Sequence, residues 1–194
     1  MSVVEVRRDG VILGYISVAD SIREDSAGAI ARLKEMGITP VMATGDDERT
    51  AMAVARRVGI DEVFAGVRPQ DKLDIVRRYQ AQGRKVMMVG DGANDAAALK
   101  GADVGVAIGS GMDLAIDSAD VIIAKGGISK VVDAITISRR TFSVVKQNLF
   151  WAFAYNVIAI PLAMAALLHP AIAEGAMAAS SISVVLNSTR VGKS

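Results

Sequence analysis

The stretch Val89-Gly90-Asp91-Gly92-Ala93-Asn94-Asp95-Ala96-Ala97-Ala98-Leu99 decides the fold. It continues Lys85 to Val89, a β-branched and Met-rich run that reads as a strand, and leads into a short helix from Asn94. Two glycines let the backbone turn tightly as Asp91 leaves the strand with its carboxylate exposed. Asp95 follows four residues later, in the first turn of the helix. Two carboxylates on one rigid turn suit Mg²⁺, a hard cation that keeps waters and phosphate oxygens as its other ligands. Asn and Asp are also ordinary residues of a helix start, and for Asp95 alone that reading stands equally.

Outward from this turn, apolar runs alternate with amphipathic stretches. Val11 to Ala19, Pro40 to Ala43, Val63 to Ala65, Val104 to Ile108 and Val121 to Ala124 read as further strands. Ser26 to Met36, Glu48 to Val58 and Pro69 to Gln82 read as helices; Ala27, Ile30, Ala31 and Leu33 are available for the inner face of the first. Gly37 and Gly59 stop two of them, and Pro69 sits in the first turn of the third. Strands alternating with helices at this spacing predict an α/β fold, a Rossmann-like parallel sheet with helices on both faces. Chemistry in such folds collects at the carboxyl ends of the strands. Three predicted strand ends carry polar turns: Asp20-Ser21, Thr44-Gly45-Asp46 and Gly90-Asp91-Gly92. Taken singly, Asp20 is better read as a turn residue. Thr44-Gly45-Asp46 offers a hydroxyl and backbone N–H groups at a helix start, a cradle for phosphate. Lys72 could neutralise charge on a transferring phosphoryl group, although a lone Lys on a helix is usually just solvated.

The 22 Lys and Arg nearly balance the 21 Asp and Glu, so a nucleic-acid partner is not expected. No cysteine is present, which excludes disulfides and thiolate metal sites in these 194 residues. The amino terminus lacks the apolar core of a signal peptide. Apolar residues, 52% of the chain, are unevenly spread: from Asn148 to Asn187 the sole formal charge is Glu174. Leu149 to Leu168 is charge-free and about long enough to span a bilayer; His169-Pro170 breaks it, and Ala171 to Leu186 is a second, shorter apolar run. Each could instead be a buried core helix, the second more readily than the first. Arg139, Arg140 and Lys146 precede the pair and Arg190 and Lys193 follow it, which predicts a hairpin with both ends in the cytoplasm. Ala176, Ala178, Ala179, Ser180 and Ser181 suit close helix packing, and Trp151 an interfacial anchor. Tyr155, Asn156, Met177, Ser180 and Ser181 are the notable polar and sulfur-bearing positions; a thioether favours Cu(I) over harder ions. These groups could equally hydrogen-bond between helices or fill space.

The order Thr44-Gly45-Asp46, Pro69-x-x-Lys72, Gly90-Asp91-Gly92-x-Asn94-Asp95, with Gly105 to Asp113 and Ser118 to Asp120, resembles the later motifs of P-type ATPases, members of the haloacid dehalogenase superfamily. The match runs from about Asp9 to the end. It implies that Asp91 and Asp95 bind Mg²⁺ with Asn94 organising the site, that Thr44 and Gly45 bind the phosphoryl oxygens beside Asp46, and that Lys72 stabilises them. Ala97 stands where the family usually has Pro. The family's phosphorylated Asp, in Asp-Lys-Thr-Gly-Thr, does not occur; Asp20 matches instead an Asp that opens an Asp-x-x-Arg element. Tyr155-Asn156, Pro161, Met177, Ser180-Ser181, Asn148 and Asn187 resemble the last two membrane helices of the copper(I)/silver(I) subclass, which implies a metal pathway along them. Zinc and cadmium members tend to carry a Lys and an Asp there, and neither is present.

The expectation is therefore an incomplete phosphorylation domain over 1–128, a stalk helix over 129–147, and a transmembrane hairpin with a short tail over 148–194. The resemblance implies a multi-pass membrane pump, with ATP, Mg²⁺ and transported Cu(I) or Ag(I), whose missing amino-terminal part is a partner. Without the acceptor Asp, the chain alone is expected not to turn over ATP. Two other readings stay open: a non-catalytic membrane protein that regulates or complements such a pump, and a soluble phosphatase-like domain.

Overall fold

Asp9 and Gly10 both take positive φ, 52° and 82°. They close a two-residue turn that joins β1 (Ser2–Arg8) to β2 (Val11–Val18) as an antiparallel hairpin. The computed structural model describes residues 2–18, 22–90, 93–109, 117–165 and 170–191. After the hairpin come α1 (Ser26–Glu35), β3 (Val41–Ala43), α2 (Glu48–Val58), β4 (Glu62–Phe64), α3 (Pro69–Ala81) and β5 (Met87–Gly90). A single 3₁₀ turn, Ala93–Asp95, leads into α4 (Ala96–Gly101), then β6 (Val104–Ile108), β7 (Val121–Ile123), α5 (Ile128–Met164) and α6 (Pro170–Ser188). The chain divides into two compact units, Met1–Val132 and Asp133–Ser194.

Local chemistry explains the sharpest boundaries of the first unit. Asp47 caps α2, its carboxylate accepting from the Thr50 N–H at 3.0 Å, and Gly59 ends it in the left-handed region at φ 82°. Asp71 reaches back to the Arg68 N–H at 2.9 Å, and Pro69 fills the first position of α3. The core is built from Ile30 and Leu33 of α1, Ala51, Ala55 and Val58 of α2, Val76 of α3, Leu99 of α4, and Val106 of β6. On α1 the buried set is Ala29, Ile30 and Leu33. Ala27 and Ala31, expected on the inner face, are exposed: one turn apart, they lie on the flank of the stripe and not within it.

From β3 onward the strands are parallel as expected, but in two sheets, β3 with β4, and β5 with β6 and β7 in that order; the Val11 to Ala19 run, expected in the parallel sheet, pairs instead antiparallel with β1. No described strand pairs with the second edge of β3 or of β5, so nothing joins the two into the single sheet the alternation suggests. Asp103 clasps the start of the larger sheet. Its carboxylate accepts from Lys85 Nζ at 2.7 Å, from the Val86 N–H at 3.0 Å and from Gln80 Nε2 at 3.1 Å.

The stretches expected as stalk and first membrane helix form one continuous helix, α5. Among the described residues, no helix is long and apolar enough to cross a membrane. The physical reason is visible in both helices. The apolar run of α5 within the described residues, Leu149 to Met164, covers about 24 Å at 1.5 Å per residue, and Tyr155, Asn156 and Pro161 dilute it. In α6, Glu174 and four serines do the same. The remainder of the predicted first span, 166–168, lies outside the described residues.

Candidate functional site

The carboxyl end of β3 leads into Thr44-Gly45-Asp46. Thr44 Oγ1 donates to Asp46 Oδ2 at 3.0 Å and accepts from the Asp46 N–H at 3.1 Å, so the loop folds on its own hydroxyl. Two backbone bonds fasten it to the loop after β4: Gly66 N–H to Asp46 O at 2.8 Å and Val67 N–H to Thr44 O at 2.9 Å. Two residues beyond Val67, α3 begins, and Lys72 lies in its first turn. Strand end, phosphate-type loop and the helix bearing Lys72 are thus held as one piece. The Gly45 N–H makes no bond within the loop.

Lys72 Nζ donates to Asp95 Oδ1 at 2.6 Å, with 17% and 8% of the two side chains exposed. Asp95 is the sole buried polar or charged residue among those described. Its second oxygen and Cβ press against Gly90: a Cβ on Gly90 would stand 2.6 Å from Asp95 Cβ and 2.7 Å from Oδ2. The strand end is glycine because the carboxylate occupies the space a side chain would take. Asp95 is brought to α3 by the 3₁₀ turn and by the packing of α4 on α3 and β6, where Ala98 and Leu99 are buried. Asn94, in the same turn, is exposed. Asp91, expected as the principal Mg²⁺ ligand, lies outside the described residues, as do Gly92 and Asp20.

Among the described residues no three His, Asp or Glu side chains converge as a metal site. The donor set still fits Mg²⁺ in one respect. Asp95 spends one oxygen on Lys72 and keeps a second at the strand end, and Mg²⁺ needs only one or two carboxylates when phosphate and water complete its shell. The counter-charge of Lys72 beside it suits a phosphoryl group bound between them.

In the second unit, α5 and α6 lie antiparallel and are clamped by amides. Asn187 Nδ2 donates to Asn148 Oδ1 at 2.9 Å, Asn148 Nδ2 to Ser188 Oγ at 2.9 Å, and Arg140 Nη2 to Arg190 O at 2.6 Å. Counting from this clamp at equal rise per residue brings Tyr155 and Asn156 to the level of Ser180 and Ser181, with Met177 about one turn beyond. Shared level is not convergence. Asn156 Nδ2 donates to Ala152 O at 2.9 Å and Ser181 Oγ to Met177 O at 3.1 Å, each within its own helix. Met177 is 73% exposed.

Sequence reasoning missed Gly90 as the seat of Asp95, although the glycine stood inside the decisive motif. It also missed the segment before α1: Arg23 Nη1 donates to Gly126 O at 2.7 Å, and Ser129 Oγ hydrogen-bonds Asp25.

The haloacid dehalogenase-like hydrolase family matches residues 2–103, and a second family profile of the same description matches 73–135. The chain is 51% identical over 186 residues to the probable copper-exporting P-type ATPase V of Mycobacterium tuberculosis, covering 96% of this chain and 24% of that protein. It is 48% identical over 192 residues to the copper-exporting P-type ATPase of Bacillus subtilis, covering 99% and 24%. A crystal structure of a zinc-transporting PIB-type ATPase in its E2.Pi state superimposes with a TM-score of 0.86 at 34% identity, over 97% of this chain and 31% of that one. The chain thus spans about a quarter of the length of the curated relatives it matches. A family match over residues 2–103, more than half of the sequence, makes this chain a member of the haloacid dehalogenase-like hydrolases.

Proposed function

We propose that this chain is the carboxy-terminal portion of an ATP-driven copper(I) or silver(I) transporting P-type ATPase. In this reading it supplies the phosphoryl site and part of the intramembrane metal site. The observation that carries the reading is the Lys72–Asp95 pair set against Gly90 at a strand end, in a chain about half identical to copper-exporting pumps.

Each group has a task that follows from its chemistry. The Gly45 N–H and the Thr44 hydroxyl hold phosphoryl oxygens; the hydroxyl exchanges its Asp46 partner for the ligand without moving the backbone. Lys72 balances the charge that develops on those oxygens, and Asp95 fixes its ammonium in place. Asp91 and Asp95 would hold Mg²⁺, which supplies further neutralisation of phosphate charge. The 194 residues contain no Asp-Lys-Thr-Gly-Thr, so the phosphorylated Asp comes from another part of the intact pump.

The second unit is read as the membrane part, with 129–147 as its stalk and both ends of the hairpin in the cytoplasm. In support, Phe150, Phe153, Val157, Ile158, Ile182 and Leu186 are all more than half exposed, which an aqueous setting penalises and a lipid setting favours. Tyr155, Asn156, Met177, Ser180 and Ser181 are assigned to the metal pathway. The thioether and the neutral oxygens suit a soft monovalent ion, and none of the five is a carboxylate that would favour a divalent one.

A chimera tests this. These 194 residues would replace the matching quarter of the Bacillus subtilis pump, in cells lacking that pump, with copper tolerance as the readout. Restored tolerance that Asp95→Asn and Met177→Ala each abolish is the expected result. A chimera that confers zinc tolerance and none to copper overturns the metal assignment. One that works equally well with Asp95→Asn overturns the phosphoryl-site assignment.

A further inference from the structure

We propose that the free edge of β4 is a docking site for an extended, basic segment of a partner polypeptide, bound as an added strand. Successive residues of a parallel strand turn their backbone groups to opposite edges. The Phe64 carbonyl accepts from the Thr44 N–H on the β3 side at 2.9 Å, so the N–H and C=O of Val63 point to the other edge. There no described strand pairs with β4. This edge is not a flat rim. It forms the floor of an open groove of about 770 Å³, walled by α2 on one side and α3 on the other.

The walls state the chemistry of the occupant. Met52 from α2 and Ile75 from α3 give each side an apolar patch. Glu48 and Asp74, one on each wall, are exposed, and neither forms an ion pair among the described residues. An added strand sends alternate side chains to alternate walls, so it meets a carboxylate and an apolar patch on either hand. A pair of Lys or Arg beside a pair of Val or Ile puts one of each on either wall, and backbone bonds to Val63 supply affinity. Charge also sets direction. Both helices start at the carboxyl end of the β-strands, which places Glu48 and Asp74 towards that end, while Arg78 lies a turn further along α3 towards the amino end of β4. The basic residues of the segment therefore sit at the carboxyl end of β4. The proposal uses none of the residues assigned to phosphoryl or metal-ion chemistry, so it stands or falls apart from them.

The test uses the full chain in neutral detergent and the fluorescent peptide Lys-Lys-Val-Val-Lys-Lys, followed by anisotropy. Saturable binding is expected, weakened about tenfold or more both with the Glu-Glu-Val-Val-Glu-Glu peptide and in the Glu48→Lys/Asp74→Lys variant, as for loss of close charge pairs. Hydrogen exchange at the Val63 amide is expected to slow on binding. Equal affinity after charge reversal overturns the proposal, as does binding that leaves Val63 exchange unchanged. Protection of Val63 that rises with protein concentration without peptide also overturns it, since a second copy of the chain would then be the occupant.

Discussion

Lys72 and Asp95 meet at 2.6 Å with little of either side chain in water, so each neutralises a charge that would otherwise be stranded. A buried pair of this kind gains little over an apolar pair of the same shape, yet breaking it on one side is expensive, about 3–5 kcal/mol. Lys72→Met, which leaves the Asp95 carboxylate against Gly90 without a counter-ion, is expected to destabilise the first unit by that amount. Lys72→Met combined with Asp95→Asn is expected to recover most of it. Urea unfolding of the three proteins checks this, and additive losses in the double variant would show that the pair is not coupled. Asp103 makes a second residue-scale case. The Lys85 ammonium first, then the Val86 N–H and Gln80, hold its carboxyl far below the ordinary value of 3.8. A depressed carboxyl contributes stability above its unfolded value and loses that contribution as pH falls through the folded one. Wild type is therefore expected to lose stability more steeply below pH 3.8 than Asp103→Asn, measured as unfolding midpoints across an acid series. The Tyr79 hydroxyl behaves oppositely. Burial first, and then the neighbouring Glu62 carboxylate, push it up to about 12.

Among elements, α2 was the most legible: Glu48 to Val58 carries the helix and Gly59 its stop, and the helix begins and ends there, with the Asp47 cap seen only in the structure. Asp47→Ala removes the acceptor for Thr50 N–H and Thr50 Oγ1, at 3.0 and 2.7 Å, and is expected to destabilise the first unit by about 1 kcal/mol. Thermal unfolding measures it, and an unchanged midpoint would mean that the cap bond carries no stability. The strand β1 went unread although Asp9-Gly10 is a strong hairpin signal, because Arg7 and Arg8 mask the alternation and a bulge between Val6 and Arg7 shifts the register there. The helix expected from Asn94 begins instead as a 3₁₀ turn, with α4 starting at Ala96. The join between stalk and hairpin was illegible for a plainer reason. Nothing in Lys146-Gln147-Asn148 breaks a helix, and the change from charged to apolar composition there alters the solvent a helix prefers, not its backbone. At the site, the sequence alone could associate Lys72 with Asp95 through family resemblance, since the two are 23 positions apart; the contact itself depends on α4 packing against α3.

Taken whole, the molecule divides its polar and apolar chemistry between its two units. The ion pairs of Lys34 with Asp61, Lys72 with Asp95 and Lys85 with Asp103 lie in the first unit, and the large exposed apolar side chains concentrate after residue 136. A pair of helices clamped at one end by Asn148 and Asn187, yet apolar on outward faces elsewhere, has its amides satisfied and its hydrocarbon uncovered. That combination is stable where the surroundings are themselves hydrocarbon. The chain's single tryptophan, Trp151, is 54% exposed and stands edge-on to Phe150 with ring centroids 5.6 Å apart, so its emission reports the environment of α5 directly. On transfer from neutral detergent into phospholipid vesicles, Trp151 fluorescence is expected to stay at short wavelength. Lipids brominated near the headgroup are expected to quench it more than lipids brominated at the chain ends, because aromatic anchors sit at the interface. Emission at the long wavelength of a hydrated indole in vesicles, with no quenching at either depth, would remove the hairpin from the bilayer and leave its apolar faces to a protein partner.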